Sequence, residues 1–256
     1  SEETPTVDFI MAEIFDEIGL PGGVFNLISG IGSEIGPLMS AHPLADMVSF
    51  TGSTRSGISV AEQAAPSVKR VCQELGGKSA MVVFEDTDID RAVETTTKGC
   101  LTNGGQICTA HTRLIVQEGI IDHLLKELKN VFEKIPYCRD PITERERGDR
   151  AWEAGMTDVV QPLVSDSQHK KILDFLNEAK AAGIEFYTGG RVPDPADVGN
   201  LGGYFIQPTI LTNVPRDSDA WQKEIFGPVL SVRSFSSEAE AITEANSTAF
   251  GLASTV

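Results

Sequence analysis

Short apolar runs suited to strands alternate with stretches whose apolar residues recur every three or four positions, and this alternation restricts the fold more than any other feature of the chain. Met47-Val48-Ser49-Phe50-Thr51 is followed by a helical stretch from about Ser53 to Ala65. The strand-like run Lys69–Leu75 comes next. Beyond Gly76-Gly77-Lys78 the pattern starts again, with the apolar run Ser79–Phe84, a helix over 88–103, a loop over 104–108, a strand over 113–117 and an amphipathic helix over 121–134. Strands that alternate with helices predict an α/β fold built on parallel sheet.

The flanking segments extend this reading. Val7, Ile10, Met11, Ile14, Phe15 and Ile18 have helical spacing within residues 4–18, and Gly19-Leu20-Pro21-Gly22-Gly23 stops that helix. Val24–Ile28 reads as a short buried strand and about 33–41 as a second helix. Residues 137–161 mix proline and glycine with dense charge, and are expected to form an exposed insertion. A helix over 167–182, a glycine-rich stretch from Gly189 to Gly203, short strands and a helix from Ser237 to Asn246 complete the chain. A change of domain is expected near residue 76.

Composition narrows the possible functions. Among 256 residues, 37 acidic against 21 basic side chains give a net charge of −16, which repels phosphate backbones and anionic membranes, so neither nucleic acid nor a membrane is an expected partner. No apolar run approaches the roughly 18 residues of a membrane-spanning helix. Cys72, Cys100, Cys108 and Cys138 form no C-x-x-C pair, and the four histidines have no metal-ligand spacing with them, so no metal site is expected. So few cysteines suit a reducing compartment, and a cytoplasmic location is the expectation. Ser1-Glu2-Glu3-Thr4-Pro5 reads as the cap of a helix already under way.

Chemistry concentrates in Asn103-Gly104-Gly105-Gln106-Ile107-Cys108-Thr109-Ala110. Paired glycines there allow backbone to approach a reacting group, and a cysteine follows at a helix-loop junction. A thiolate at such a place is a nucleophile, provided a base or a positive environment draws off its proton. A lone cysteine is more often a small buried residue, and a lone glutamate at a strand end more often a solvated charge. The pairing changes that balance, because Gln73-Glu74-Leu75-Gly76-Gly77-Lys78 places a carboxylate at a strand end against a Gly-Gly turn, 34 residues before the cysteine.

Glu-Leu-Gly-Gly-Lys followed by Gly-Gln-x-Cys resembles the signature pair of the aldehyde dehydrogenase superfamily. The resemblance extends to Gly19–Asn26, Phe50–Thr54, Glu224–Val229 and Asn246–Leu252, so six ordered motifs cover nearly the whole chain. It implies an NAD(P)-dependent, hydrolytic enzyme that oxidises a small-molecule aldehyde to a carboxylic acid. Cys108 would attack the carbonyl, with its own backbone N–H helping to hold the oxyanion, and Glu74 would activate water against the resulting thioester. It also implies an incomplete Rossmann-like nucleotide-binding domain, with its rear half in residues 1–75, and an α/β catalytic domain in residues 76–256.

The same resemblance assigns the cofactor contacts. Ser53 would hold the pyrophosphate at a helix start, with Gly52 and Gly57 allowing close backbone approach, and Glu2 would bind the adenosine ribose. Leu75 would present a backbone carbonyl to the carboxamide, while Glu224 and Phe226 would grip the nicotinamide ribose and flank the ring. A carboxylate at Glu2 favours NAD over NADP. Gly30-Ile31-Gly32-Ser33-Glu34-Ile35-Gly36 departs from the dinucleotide fingerprint, and a tight strand-to-helix turn is the preferred reading. The glycosylation-like Asn246-Ser247-Thr248 is set aside, and Cys72, Cys100 and Cys138 are read as structural or incidental thiols.

By the same comparison, the chain is expected to be truncated at both ends. An asparagine oxyanion donor, a ribose-contacting lysine and the first βαβ half would precede Ser1, and an oligomer-forming strand and a glycine-rich motif would follow Val256. Homo-oligomers are the family habit, and this chain alone is expected to bind NAD weakly. Two alternatives stay open at this point: a relative that passes its acyl group to coenzyme A, against which the carboxylate of Glu74 argues, and a non-catalytic binding protein that keeps the fold.

Overall fold

The computed structural model describes residues 2–138, 159–199 and 201–256, which divide into two compact units, Ser1–Leu75 and Gly76–Val256. In the first, helices α1 (Thr6–Glu17) and α2 (Gly32–Ala41) precede strand β1 (Met47–Thr51), helix α3 (Thr54–Ala64) and strand β2 (Arg70–Glu74). The two strands pair in parallel from Met47 opposite Arg70 to Thr51 opposite Glu74, and the Gly52 N–H extends the ladder to the Glu74 carbonyl at 3.0 Å. Gly57, Val60 and Ala64 form the buried stripe of α3, at the three- and four-residue spacing that lays a helix on a sheet. Apolar side chains of α1, among them Val7, Ile10 and Ile14, are exposed.

One strand expected from the sequence is absent. Val24–Ile28 has no ladder partner among the described residues; Val24 instead donates to the Pro21 carbonyl in a turn, and Val24, Phe25 and Ile28 are exposed. Apolar character alone does not make a strand, because the backbone needs a neighbour of matching register. The turn before α2 accordingly joins an irregular segment, not a strand, to the helix.

The second unit is built on a six-stranded sheet of order β5-β6-β7-β4-β3-β8. Its strands are β3 (Ala80–Val83), β4 (Arg113–Gln117), β5 (Glu185–Thr188), β6 (Thr209–Thr212), β7 (Val229–Phe235) and β8 (Ser254–Thr255). All neighbours run parallel except the antiparallel pair β5 and β6. Helices α4 (Ile89–Leu101), α5 (Ile121–Lys134) and α6 (Asp166–Ala181) supply the long covering elements. Three shorter helices are α7 (Pro195–Val198), α8 (Asp219–Gln222) and α9 (Glu238–Ala245).

Successive residues of the central strands enter opposite cores. Met81, Val83, Leu114 and Val116 pack with Val93, Leu124, Leu128 and Phe132 of α4 and α5, while Ala80, Val82 and Ile115 join Ile172 and Leu176 of α6, Trp221 and Ala241. A parallel sheet covered on both faces needs strands that are apolar at every position, and β3 and β6 are buried throughout.

The expected exposed insertion at 137–161 is described only at its margins, and these are buried. Cys138, Val159 and Val160 are nearly inaccessible, and the Cys138 N–H bonds the Val160 carbonyl at 3.0 Å. The margins are stitched to each other by backbone hydrogen bonds, which average hydrophilicity over the window does not reveal; residues 139–158 lie outside the described part.

Among the described residues of this unit, Glu244, Lys78 and Arg113 are buried charged side chains, and the first two bear on stability. Glu244, with its side chain 1% exposed, is bound by Arg216 and by Arg233, the latter at 3.0 Å. Glu244→Gln leaves two guanidinium groups facing an uncharged amide and should destabilise the unit by roughly 2–3 kcal/mol in urea unfolding, less than for a fully enclosed pair because Arg216 is half exposed.

Lys78 precedes β3 and is fully enclosed, and its Nζ has no hydrogen-bond partner among the described residues. Burial, and then the nearby Arg113 guanidinium, bring its pKa down to about 7. An unfolded chain holds that proton up to about pH 10.4, so across the intervening window the unfolded state binds more protons and stability rises with pH. Stability should therefore climb between pH 7 and 10, and Lys78→Met should be the more stable form at pH 7 and lose that climb; a parallel pH dependence in the two proteins would contradict it.

Candidate active site

The cysteine loop begins where α4 ends. Asn103, Gly104 and Gly105 all have left-handed backbone, with φ of 55°, 64° and 73°, and turn the chain sharply after the helix. Glycine is required at 105, since a Cβ there would collide with the backbone of Gly227 and Pro228. Gln106 then fastens the loop. Its Nε2 donates to the Asn103 carbonyl at 2.9 Å, its Oε1 accepts from the Val164 N–H at 2.9 Å, and the Asn103 side chain returns a bond to the Gln106 carbonyl at 3.1 Å.

Cys108 follows, half buried, in a turn closed by the Ala110 N–H on the Ile107 carbonyl at 3.0 Å. Its carbonyl oxygen lies against Gly77, where a Cβ would not fit. Downstream the chain enters β4 through Arg113, a buried residue whose guanidinium donates to the Lys78 carbonyl at 2.7 Å and to the last carbonyls of α9, Glu244 and Ala245, at 2.8 and 2.6 Å. That guanidinium also stacks on Trp221 with 5.0 Å to the ring centroid. The planar fork, with donors spread over Nε, Nη1 and Nη2, reaches three separate carbonyls at once, which the single point charge of a lysine does not match.

Glu224 and Phe226 meet the same turn from another direction. The Glu224 carboxylate accepts from the Gly77 N–H at 3.1 Å and covers Gly76 so closely that any side chain there would strike it. Phe226 has φ +59°, uncommon for a residue with a side chain, and its ring is half buried. Cys108, Glu224 and Phe226 are thus gathered around backbone contacts between three distant segments, Gly76–Gly77, Gly105 and Gly227. Of the other thiols, Cys72 is exposed, while Cys100 is enclosed and its thiol is pushed up to about 12 by burial.

The first unit holds the remaining residues. Glu74 ends β2 with an exposed side chain, and Leu75 packs its side chain against the α-carbon of Gly57, beside a hydrogen bond from Gln73 Nε2 to the Gly57 carbonyl at 2.5 Å. Gly57 therefore lets α3 settle onto the strand end. Gly52 lies over the Phe50 ring, again without room for a side chain. Ser53 caps α3, its Oγ accepting from the Ser56 N–H at 3.2 Å, so the first N–H groups of the helix point past it.

Glu2 borders a cavity of about 430 Å³ lined by Phe9, Leu27, Ile28, Ile31 and Ile35, and accepts from the Gly32 N–H at 3.3 Å. Its own backbone N–H and that of Gly32 hold the carboxyl below its usual range. Among the described residues, no group of three or more His, Cys, Asp or Glu is placed to hold a metal, and no helix is long and apolar enough to cross a membrane.

Sequence reasoning missed the partners that hold these groups. Gln106 stands inside the quoted motif, but its bond to Val164 is invisible before folding. Arg113 reads as a charged residue opening a strand. Gln168 follows the helix cap Ser165 by three residues, a signal for the start of α6 and for nothing else.

The aldehyde dehydrogenase family model matches residues 1–256. The chain is 44% identical over 250 residues to aminoaldehyde dehydrogenase 1, peroxisomal, of Pisum sativum, covering 96% of this chain and 46% of that protein. It is 43% identical over 248 residues to betaine aldehyde dehydrogenase, chloroplastic, of Beta vulgaris, covering 95% and 45%. Among solved structures, betaine aldehyde dehydrogenase of Staphylococcus aureus in complex with NAD+ superposes with a TM-score of 0.88 at 35% identity, over 99% of this chain and 47% of that one. The aldehyde dehydrogenase of Bartonella henselae superposes with a TM-score of 0.86 at 39% identity, over 98% and 49%. The chain spans about half the length of the curated relatives it matches. Its architecture, its motif segments and these matches agree: the chain belongs to the aldehyde dehydrogenase family.

Proposed function

We propose that the protein oxidises an aldehyde to the carboxylic acid with NAD, with Cys108 as nucleophile and Glu74 as general base. The observation that carries this reading is the cysteine loop: a half-buried thiol on a turn fixed by Gln106 and Gly105, with its backbone against Gly77 and the Glu224–Gly227 segment alongside. Fixed placement of this kind lets a nucleophile meet the carbonyl in a near-attack geometry.

In this reading the Cys108 thiolate adds to the carbonyl carbon, forming a C–S bond and an oxyanion that the Cys108 N–H helps to hold. Collapse of the oxyanion re-forms the C=O bond as the carbon loses its hydrogen with two electrons, leaving a thioester. Glu74 takes a proton from water, which attacks the thioester carbon, and the C–S bond breaks to return the thiolate and release the acid. NAD, when bound, supplies the acceptor for those two electrons.

The residues present fit that cofactor. The apolar cavity beside Glu2 has the size and lining for a purine, and the capped start of α3, with Gly52 and Gly57 bare of side chains, suits a pyrophosphate. Leu75 offers its carbonyl to the carboxamide, while Glu224 and Phe226 take the nicotinamide ribose and ring. The Glu2 carboxylate repels a 2′-phosphate, which favours NAD over NADP. We assign residues 1–75 to the nucleotide-binding domain and 76–256 to the catalytic domain. The relatives are named for aminoaldehydes and betaine aldehyde, both cationic, and the net charge of −16 favours a cationic aldehyde as the first substrate to test.

Iodoacetamide should label the exposed Cys72 and the half-buried Cys108 before the enclosed Cys100 and Cys138, with loss of activity tracking Cys108 alone on mass mapping. Inactivation that tracks another cysteine would remove Cys108 from this role. In the full-length protein, Glu74→Gln should keep a rapid first turnover of NAD reduction and slow the steady rate by roughly 10²-fold or more, as expected for loss of a general base. Equal loss of burst and turnover would assign Glu74 to thiol activation instead.

A further inference from the structure

Phe226 is the one member of the Glu224–Gly227 segment whose backbone is left-handed, an unfavourable conformation for a residue with a Cβ that persists only where the surroundings impose it. The surroundings do so on every side. Glu224 is tied to the Gly77 N–H, Ile225 is buried in the core, and Gly227 is wedged between Ile172 of α6 and Gly105 of the cysteine loop. The remaining restraint falls on Phe226 itself. Gln168 Nε2 donates to its carbonyl at 2.9 Å and, more weakly, to that of Ile225 at 3.4 Å.

Gln168 is well placed to act as a fixed donor. It stands in the first turn of α6, its own N–H caps onto Ser165 Oγ at 3.2 Å, and its side chain is partly buried. Ile172, one turn further along the same helix, supplies the wall against Gly227. One helix face therefore sets both the peptide after Phe226 and the next residue, whose carbonyl abuts the loop carrying Cys108.

We infer that Gln168 is a positioning residue for cofactor binding, holding Phe226 in its left-handed conformation so that the ring is presented ready-formed to the nicotinamide. This rests on the proposed use of NAD. Without the donor, the backbone relaxes toward ordinary right-handed or extended values and the ring turns away, so the ordering must be supplied on binding and affinity falls.

The experiment is a double-mutant cycle on the full-length protein, read by calorimetric titration with NAD. Gln168→Ala should weaken NAD binding about tenfold, the scale of one lost hydrogen bond together with restored backbone freedom, while the alkylation rate of Cys108 without NAD stays within about twofold. In a Phe226→Gly background, where left-handed backbone costs nothing and no ring remains to be placed, Gln168→Ala should add less than about twofold. Gln168→Glu, which keeps the size but can donate only when protonated, should bind NAD about as weakly as Gln168→Ala at pH 8 and recover toward the parent as pH falls to 5.

Unchanged NAD affinity in Gln168→Ala, a full tenfold loss in the Phe226→Gly background, or a fall in alkylation rate matching the loss of affinity would each overturn the inference. Failure of the parent to oxidise aldehydes while it binds NAD would overturn the proposed reaction and leave the cycle readable.

Discussion

Direct backbone contact without intervening side chains is the constraint on which the second unit's site depends. Gly77 lies against the carbonyl of Cys108, Gly105 against the backbone of Gly227, and Gly76 beneath the carboxylate of Glu224. Each glycine brings together segments separated by tens to more than a hundred residues, and a methyl group at any of the three would push apart groups that the chemistry needs together. Packing this close leaves little room to relax, and it holds the site at the N-terminal ends of the central strands β3, β4 and β7.

Around that contact the polar groups are arranged as ties. Gln106 joins the cysteine loop to Val164, Gln168 joins α6 to Phe226, and Arg113 joins the Lys78 carbonyl to the C-terminus of α9 while resting on Trp221. Side-chain donors to backbone carbonyls are individually worth about 1 kcal/mol, but charged and buried donors such as Arg113 leave several carbonyls unpaired when removed. These residues make the placement of Cys108, Glu224 and Phe226 a property of the whole domain. The two cores on either face of the sheet supply the stability against which Lys78 and the Phe226 backbone are held.

Much of this was legible beforehand, and the reasons it was legible differ. The helices α4, α5 and α9 could be read because their apolar stripes face a core, and α4 and α9 also start at the capping residues Asp88 and Ser237. The strands β3 and β4 could be read because a doubly covered sheet demands unbroken apolar runs. Val24–Ile28 met the same local criterion and failed, since among the described residues it has no ladder partner, and the ends of the polar window at 137–161 bond to each other.

Local physics, which needs only neighbours in the chain, was therefore determined by the sequence itself: the periodicities, the caps and the glycine turns, whereas the carboxylate and thiol pointed to aldehyde chemistry only through the resemblance of their motifs to a known family. Tertiary structure alone decided which carbonyl each glutamine and Arg113 would serve, which glycine faces which backbone, and that Lys78 would be enclosed with no hydrogen-bond partner among the described residues. Those outcomes depend on groups far apart in sequence meeting at hydrogen-bond distance, and a one-dimensional pattern carries no information about a distance that exists only after the sheet has formed.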